Sequence, residues 1–330
     1  MYFVDNKGIT DPRINLAIEE YLLKTMDVEQ DPFLLFYINE PSIIIGKNQN
    51  TAEEINTDYV DSNGIHVVRR LSGGGAVYHD HGNLNYSFIT VDDGESFRNF
   101  RKFTEPVVQA LQGLGVNAEL SGRNDLMAEG RKISGNAQFS TKGRMYSHGT
   151  LLFDTEVEAV VSALKVSKEK IESKGIKSIR SRVANISEFL ETPMSVTEFR
   201  SAILHSIFDG EENVRYYELT EQDWVGIHEI SKARYGNWDW NYGKSPKFNI
   251  KHSHRFPVGG IDVRLQVENG VVQDASIFGD FFGVGDVSEI ENAITGIKYE
   301  RASLDEAING FDIPKYLGGI TKEEFLKLIY

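Results

Sequence analysis

The sequence predicts an α+β protein in two parts, with mixed β-sheets flanked by helices in a larger first part and a smaller α+β module behind it. Three observations predict this. The 330 residues exceed what one hydrophobic core usually holds. Up to about residue 246, short apolar runs of strand length alternate with helix-spaced apolar stripes. Beyond that point, Asn269-Gly270 sits between alternating apolar residues, a strong hairpin signal, and helix-start patterns follow it. The expected division is 1–246 and 247–330.

Each element has its own local reason. Asp11-Pro12 opens a capped helix whose apolar face is Ile14, Leu16, Ala17, Ile18, Tyr21 and Leu22. Leu34 to Ile38 and Ser42 to Ile45 read as buried strands joined by Asn39-Glu40-Pro41. Gly46 to Asn50 is a polar loop, either a solvated turn or the mouth of a site. A helix is expected around Ala52 to Val60, then a strand over Ile65 to Val68.

The most unusual run follows: Arg69-Arg70-Leu71-Ser72-Gly73-Gly74-Gly75-Ala76-Val77-Tyr78-His79-Asp80. Glycines without Cβ can aim successive N–H groups into one concavity, and arginines add permanent, forked charge. Leu84 to Ile89 alternates like a strand, so the glycines lie between strands. Phosphate-loop and dinucleotide fingerprints both need a following helix, and neither pattern is met.

Phe103, Val107, Ala110, Leu111 and Leu114 form a helix stripe ended by Gly115. Ser121 to Leu126 is a polar turn opening a strand, and Gly130 to Ala137 is a second basic, glycine-punctuated stretch that hairpin geometry would bring beside it. Arg144 to Phe153 adds a strand carrying His148, which fits a satisfied core histidine as well as a site residue. The polar stretch from Lys168 to Arg182 reads as a surface loop or as a lid over an anionic ligand.

Ser195-x-x-Glu198, Ser303-x-x-Glu306 and Thr321-x-x-Glu324 are capping-box patterns, and a further helix surrounds Trp224, Ile227 and Ile230. Gly243-Lys244-Ser245-Pro246 is the expected linker.

Composition limits the function. Hydrophobic residues make up 40% and charged residues 25%, enough to bury a sizeable core. A net charge of −14 argues against nucleic acid as a partner. No apolar run has the length of a membrane span, and Met1 to Asp5 lacks a secretory layout, so the expectation is a cytoplasmic protein without a membrane role. The absence of cysteine excludes disulfides, thiolate metal sites and a thioester-forming nucleophile. His79-x-His81 and His252-x-His254 lack a clear third ligand and read as structural or surface histidines.

Two glycine-rich basic stretches, a lysine candidate in Lys132 and no cysteine suit activation of a carboxylate through an acyl phosphate. Such a site must set the carboxylate against a phosphorus, neutralise developing charge and exclude water.

Five motifs occur in order: Arg70 to Asp80, Gly122-Arg123-Asn124-Asp125-Leu126, Arg131-Lys132-Ile133-Ser134-Gly135, His148-Gly149-Thr150-Leu151, and Gly175 to Val183. Together they closely resemble the lipoate-protein ligase A family of the biotin and lipoate ligase superfamily, over nearly the whole chain. The resemblance implies a biotin/lipoate ligase-type catalytic domain with an accessory domain. It also implies a two-step reaction, in which lipoate and ATP give lipoyl-adenylate and a lysine of an acceptor protein then takes the lipoyl group. The implied acceptors are lipoyl domains of 2-oxo-acid dehydrogenase E2 subunits and the glycine-cleavage H protein.

By position, Arg70, Gly75, Ala76, Val77 and Tyr78 would contact the nucleotide, and Lys132 would reach both nucleotide and lipoate. Ser72, Gly73, Gly74 and His148 would line the lipoate, and Arg180, Ser181 and Arg182 belong to the loop that covers the adenylate. Asp125 is the candidate for holding Mg²⁺ or for positioning Lys132. The alternatives are carrier-to-carrier acyl transfer, which in related enzymes uses a cysteine this chain lacks, and a non-catalytic binder of lipoyl domains. The Arg70 to Asp80 string matches the lipoate side of the superfamily and so disfavours a biotin ligase.

Overall fold

The computed structural model describes residues 1–164, 182–243 and 248–330. The chain divides into two compact units, each built from separate stretches. The first comprises Met1–Ile44, Glu54–Val68 and Val77–Asn237, and the second comprises Ile45–Glu53, Arg69–Ala76 and Trp238–Tyr330.

The strands of the first part of the chain are β1 (Tyr2–Asp5), β2 (Phe33–Ile38), β3 (Ser42–Ile45), β4 (His66–Arg69), β5 (Val77–His79), β6 (Asn83–Val91), β7 (Ala118–Ser121), β8 (Asp125–Ala128), β9 (Arg131–Thr141), β10 (Arg144–Leu152) and β11 (Tyr216–Tyr217). Eight of them form one mixed sheet in the order β11-β1-β2-β6-β10-β9-β8-β7. β1 runs parallel to β2 and β11, and the other pairings are antiparallel. β4, β3 and β5 make a separate small sheet, so the two expected strands β2 and β3 belong to different sheets and Asn39-Glu40-Pro41 is the crossover between them.

Helix Pro12–Thr25 starts where Asp11 accepts the N–H of Arg13 and proline occupies the first turn. It packs against β6 and β10 with Leu16, Ala17, Leu22 and Leu23 buried. On the other face of the sheet, Phe103, Val107 and Leu111 of helix Phe100–Gly113 share a core with Leu84, Tyr86 and Phe88 of β6 and with Phe199 and Ile203 of helix Val196–Ile207. The first of these helices stops as expected, with Gly115 in the left-handed region at φ +85°.

The expected helix over Ala52 to Val60 is instead two short ones, Thr51–Glu54 and Thr57–Ser62. The break has a tertiary cause: Ile55 forms a bridge with Leu164, and the Asn56 N–H donates to the Ala163 carbonyl.

In the second unit, β12 (Ile250–Phe256), β13 (Gly259–Glu268) and β14 (Val271–Gly279) form an antiparallel sheet. Asn269 (φ +51°) and Gly270 (φ +74°) make the two-residue turn that the hairpin signal required. Helices Val287–Ile294, Arg301–Ala307, Ile313–Tyr316 and Lys322–Ile329 pack with this sheet around a core that includes Val263, Ile277, Ile290, Leu304 and Phe325. Thr321 caps the last helix through the expected reciprocal pair with Glu324. The Ser303 pattern does not open a helix. That helix begins at Arg301, after Glu300, and the Ser303 hydroxyl donates to the Glu300 carboxylate from inside the first turn. Of the expected linker, Lys244, Ser245 and Pro246 lie outside the described residues. Among the described residues no helix is long and apolar enough to cross a membrane.

Candidate active site

The glycine stretch connects β4 to β5, as expected, and residues 69–76 of it belong to the second unit. Its two arginines are both buried, at 2% and 5% exposure. Arg69 donates to the carbonyls of Trp240 (2.9 Å), Gly46 (3.0 Å), Lys47 (3.0 Å), Gln49 (2.6 Å) and Asn241 (3.3 Å), and to the Thr51 hydroxyl (2.7 Å). Burial, with the charge of Arg70 beside it, pushes its pKa down to about 10, so it remains a cation at neutral pH. Arg70 donates to the Ser72 hydroxyl (2.9 Å) and to the carbonyls of Gly73 (2.7 Å) and Gly75 (2.8 Å).

The glycines are needed for close approach as much as for turning. A Cβ on Gly73 would overlap the Phe281 carbonyl, and one on Gly46 would overlap the carbonyl of Gly74, itself at φ +91°. Ser72, Gly73 and Gly74 are therefore packed inside the second unit. Gly75 is different: it is exposed, and nothing lies within 4 Å of where its Cβ would be. The accessible end of the stretch is thus Gly75, Ala76 and Val77.

In the first unit, β8 and β9 form the hairpin expected from the second motif, but Lys132 lies on strand β9 and not in a loop. Asp125 stands directly across from Gly135, and the register slips between Leu126 and Met127, leaving Ile133 as the extra residue of a β-bulge. The Lys132 ammonium pairs with Asp125 at 2.8 Å, both side chains being partly exposed (36% and 38%). It lies over Gly135, where an added Cβ would come within 3.2 Å of Nζ. The main chain of Lys132 is also held: its N–H donates to the Arg182 carbonyl (2.6 Å), and its carbonyl accepts from the Ala184 N–H (3.0 Å). Of the expected covering loop, residues 168–181, with Arg180 and Ser181 among them, lie outside the described residues.

His148 on β10 is 8% exposed, and its Nδ1 lies 3.0 Å from the Glu19 carboxylate, so this nitrogen carries the proton it donates. Tyr78 is also buried, and burial, with Asp80, Tyr59 and Glu156 nearby, pushes its phenol up to about 12. It lines a pocket of about 420 Å³ together with Asp80, His81, Phe153, Glu156 and Ser195. Asp80 accepts the N–H groups of Gly82 and Glu156, and His79 accepts from the Asn39 amide, so these motif residues fasten their own surroundings.

Sequence reasoning missed Glu19, the partner of His148, and Tyr86, and it placed Asn124 in the second motif and Asn136 in the Gly130 to Ala137 stretch without giving either a role. The one local signal was Gly149 in the fourth motif, where a Cβ would overlap Asn136 and Tyr86. Chemically, a partly exposed ammonium held by a carboxylate over a glycine can follow an anionic oxygen as charge builds on it, whereas a buried guanidinium bonded to many carbonyls fixes the chain around it.

Comparison with known proteins gives this geometry its context. Residues 11–208 match the lipoyl protein ligase A/B catalytic domain, and residues 245–329 match the bacterial lipoate protein ligase C-terminus. The chain is 68% identical to the lipoate-protein ligase LplJ of Bacillus subtilis, covering 100% of each. Among solved structures, it is similar to a bi-partite lipoate protein ligase described with its E2 lipoyl domain from Thermoplasma acidophilum, at 32% identity and TM-score 0.67, covering 76% of this chain and 98% of that one. It is also similar to a lipoate-protein ligase A bound with ATP, at 31% identity and TM-score 0.61, covering 74% and 97%. These likenesses extend to the fold, mixed sheets flanked by helices. With both family models matched in order and a relative aligned along its full length, the chain belongs to the lipoate-protein ligase family.

Proposed function

We propose that the chain, as an ATP-dependent lipoate-protein ligase, works in two half-reactions with Lys132 as its catalytic residue. The observation that carries this reading is the Lys132–Asp125 pair, partly exposed on the β8–β9 hairpin within the stretch matched by the catalytic-domain model.

In the first half-reaction a lipoate carboxylate oxygen attacks the α-phosphorus of ATP and pyrophosphate leaves, giving lipoyl-adenylate. Lys132 reaches both substrates and stabilises the oxygen that becomes the anhydride bridge. In the second, the neutral ε-amine of an acceptor lysine attacks the lipoyl carbonyl carbon, an amide forms, the amine loses a proton and AMP leaves. Arg70, Gly75, Ala76, Val77 and Tyr78 serve the nucleotide; His148 serves lipoate with Lys132, while the buried Ser72, Gly73 and Gly74 shape the glycine stretch from within and do not line the ligand; and Arg180, Ser181 and Arg182 cover the adenylate. The exposure of Gly75 supports the first of these assignments.

One carboxylate with substrate phosphates is a common magnesium arrangement, and Asp125 supplies that carboxylate. It would hold Mg²⁺, whose chemistry is to neutralise phosphate charge. The acceptors are lipoyl domains of 2-oxo-acid dehydrogenase E2 subunits or the glycine-cleavage H protein; the E2 lipoyl domain that accompanies the archaeal relative supports the first of these. The setting is the cytoplasm, where ATP is supplied. The catalytic part is 1–246 and the accessory part 247–330, a division supported by the bounds of the two family models.

Purified protein with lipoate, ATP and Mg²⁺ is expected to exchange labelled pyrophosphate into ATP, and an E2 lipoyl domain added to it is expected to gain the mass of a lipoyl group. Absence of both signals refutes the two-step reading.

A further inference from the structure

Behind the Lys132–Asp125 pair runs a chain of side-chain hydrogen bonds anchored in the core. The Tyr86 hydroxyl on β6 donates to the Asn136 side-chain carbonyl on β9. Burial raises the Tyr86 phenol well above its ordinary pKa, so it remains a neutral donor. The Asn136 amide donates in turn to the Asn124 main-chain carbonyl (3.1 Å) and to the Ser134 hydroxyl (3.2 Å). Asn124 returns the contact, its amide donating to the Asn136 main-chain carbonyl at 2.6 Å and its own carbonyl accepting the Asn136 N–H at 2.9 Å.

These bonds close around the two positions that matter. Asn124 precedes Asp125, Asn136 follows Gly135, and Asp125 and Gly135 face each other in register. The Gly135 N–H is taken by the Thr150 hydroxyl at 3.2 Å. Gly149 leaves the space in which Tyr86 and Asn136 meet. Beyond the Asn124–Asn136 crossing the hairpin carries its bulge, so register there is not set by a regular ladder.

We infer that the Tyr86–Asn136–Asn124 chain is the positioning device that holds Asp125 and the Gly135 floor at the distance that seats the Lys132 ammonium. Tyr86, Asn136 and Asn124 are positioning residues acting through Lys132 and Asp125. The inference deepens the proposed two-step reading and rests on it for its catalytic consequence, while the geometric part stands independently.

Two variants and two readouts test it. Tyr86→Phe removes one hydroxyl and leaves the ring in the core; Asn124→Ser removes the amide that returns to Asn136. In pyrophosphate exchange, each is expected to lower kcat by about 10-fold or more, since a small misplacement of reacting groups has effects of that order. KM for lipoate and for ATP should stay within about twofold, and the thermal midpoint of Tyr86→Phe should fall only slightly, as expected for one buried acceptor left without its donor. A merely structural role would instead lower the midpoint with kcat per folded molecule unchanged, and that result overturns the inference.

The second readout needs no ligase activity. The rate at which an N-hydroxysuccinimide ester acylates Lys132, followed by peptide mass spectrometry, should rise several-fold in both variants as the carboxylate loosens its hold. An unchanged rate overturns the inference. If the parent protein shows neither exchange nor lipoyl transfer to an E2 lipoyl domain, the two-step reading fails, and the labelling rate still decides whether the chain of side chains positions Lys132.

Discussion

Arg69 and Lys132 are both cations in glycine-rich basic motifs, and the molecule uses them in opposite ways. Arg69 is buried, and its N–H groups are taken by five carbonyls and a hydroxyl that tie residues 46–51 and 240–241 to the glycine stretch. Lys132 is partly exposed, with a carboxylate opposite it and a glycine beneath. A guanidinium with its forked donors already spent is an organiser of backbone; an ammonium held by a carboxylate at the surface can exchange that partner for substrate. Charge in a motif therefore says little until its partners are known.

The largest effect is expected from Arg69→Met, which strands several buried carbonyls and should lower stability by about 3 kcal/mol or more, read as a shift of the urea midpoint. A variant that kept its midpoint but lost exchange activity would show Arg69 to be a chemical residue after all. Next, Lys132→Ala should cut pyrophosphate exchange on the order of 10²-fold or more while leaving the midpoint nearly unmoved. Its failure to do so would remove the chemical half of the comparison.

Asp125→Asn sharpens the contrast. It keeps the size of the side chain and removes the charge facing Lys132, and should cost about 10-fold in kcat. Exchange rates across a magnesium titration would separate its two roles: a metal ligand shifts the magnesium requirement, and a positioning carboxylate does not. The smallest effect is expected from Gly135→Ala, where a Cβ 3.2 Å from the ammonium displaces a flexible side chain; a loss of a few-fold in kcat, measured by the same assay, is expected.

Much of this was legible in local sequence. Asp11-Pro12, Ser195-x-x-Glu198, Thr321-x-x-Glu324 and Asn269-Gly270 act through neighbours within a few residues, and the structure shows each at work. The position of the glycine stretch between strands and the pairing of the Asp125 and Lys132 stretches were legible for the same reason. What failed was set by distant partners or by a competing start. The helix over Ala52 to Val60 is split by contacts to residues 163 and 164, and Ser303 lost its cap position to a helix that starts two residues earlier. Nor could the sequence reveal that Tyr86 meets Asn136 or that Glu19 meets His148, pairs 50 and 129 residues apart. The motifs marked where the chemistry lies; of the side chains that hold it in place, Tyr86 and Glu19 carry no motif, and Asn124 stands inside one with nothing to mark its role.

The make-up of the second unit has a consequence for how the molecule comes into being. One half of the clasp on residues 69–76 lies close by, in residues 45–51; the other half is Trp240, Asn241 and Phe281, the first two standing 171 and 172 positions beyond Arg69. Contacts of such separation form late, because the intervening chain must first be closed. During synthesis the glycine stretch therefore waits, held from one side alone, until its distant partners have emerged. Arrested nascent chains should remain open to proteases at residues 69–76 when they end before residue 238, and become protected once residue 282 has cleared the ribosome. The segment that reads first as the heart of the sequence takes its shape only after more than 200 later residues have been made.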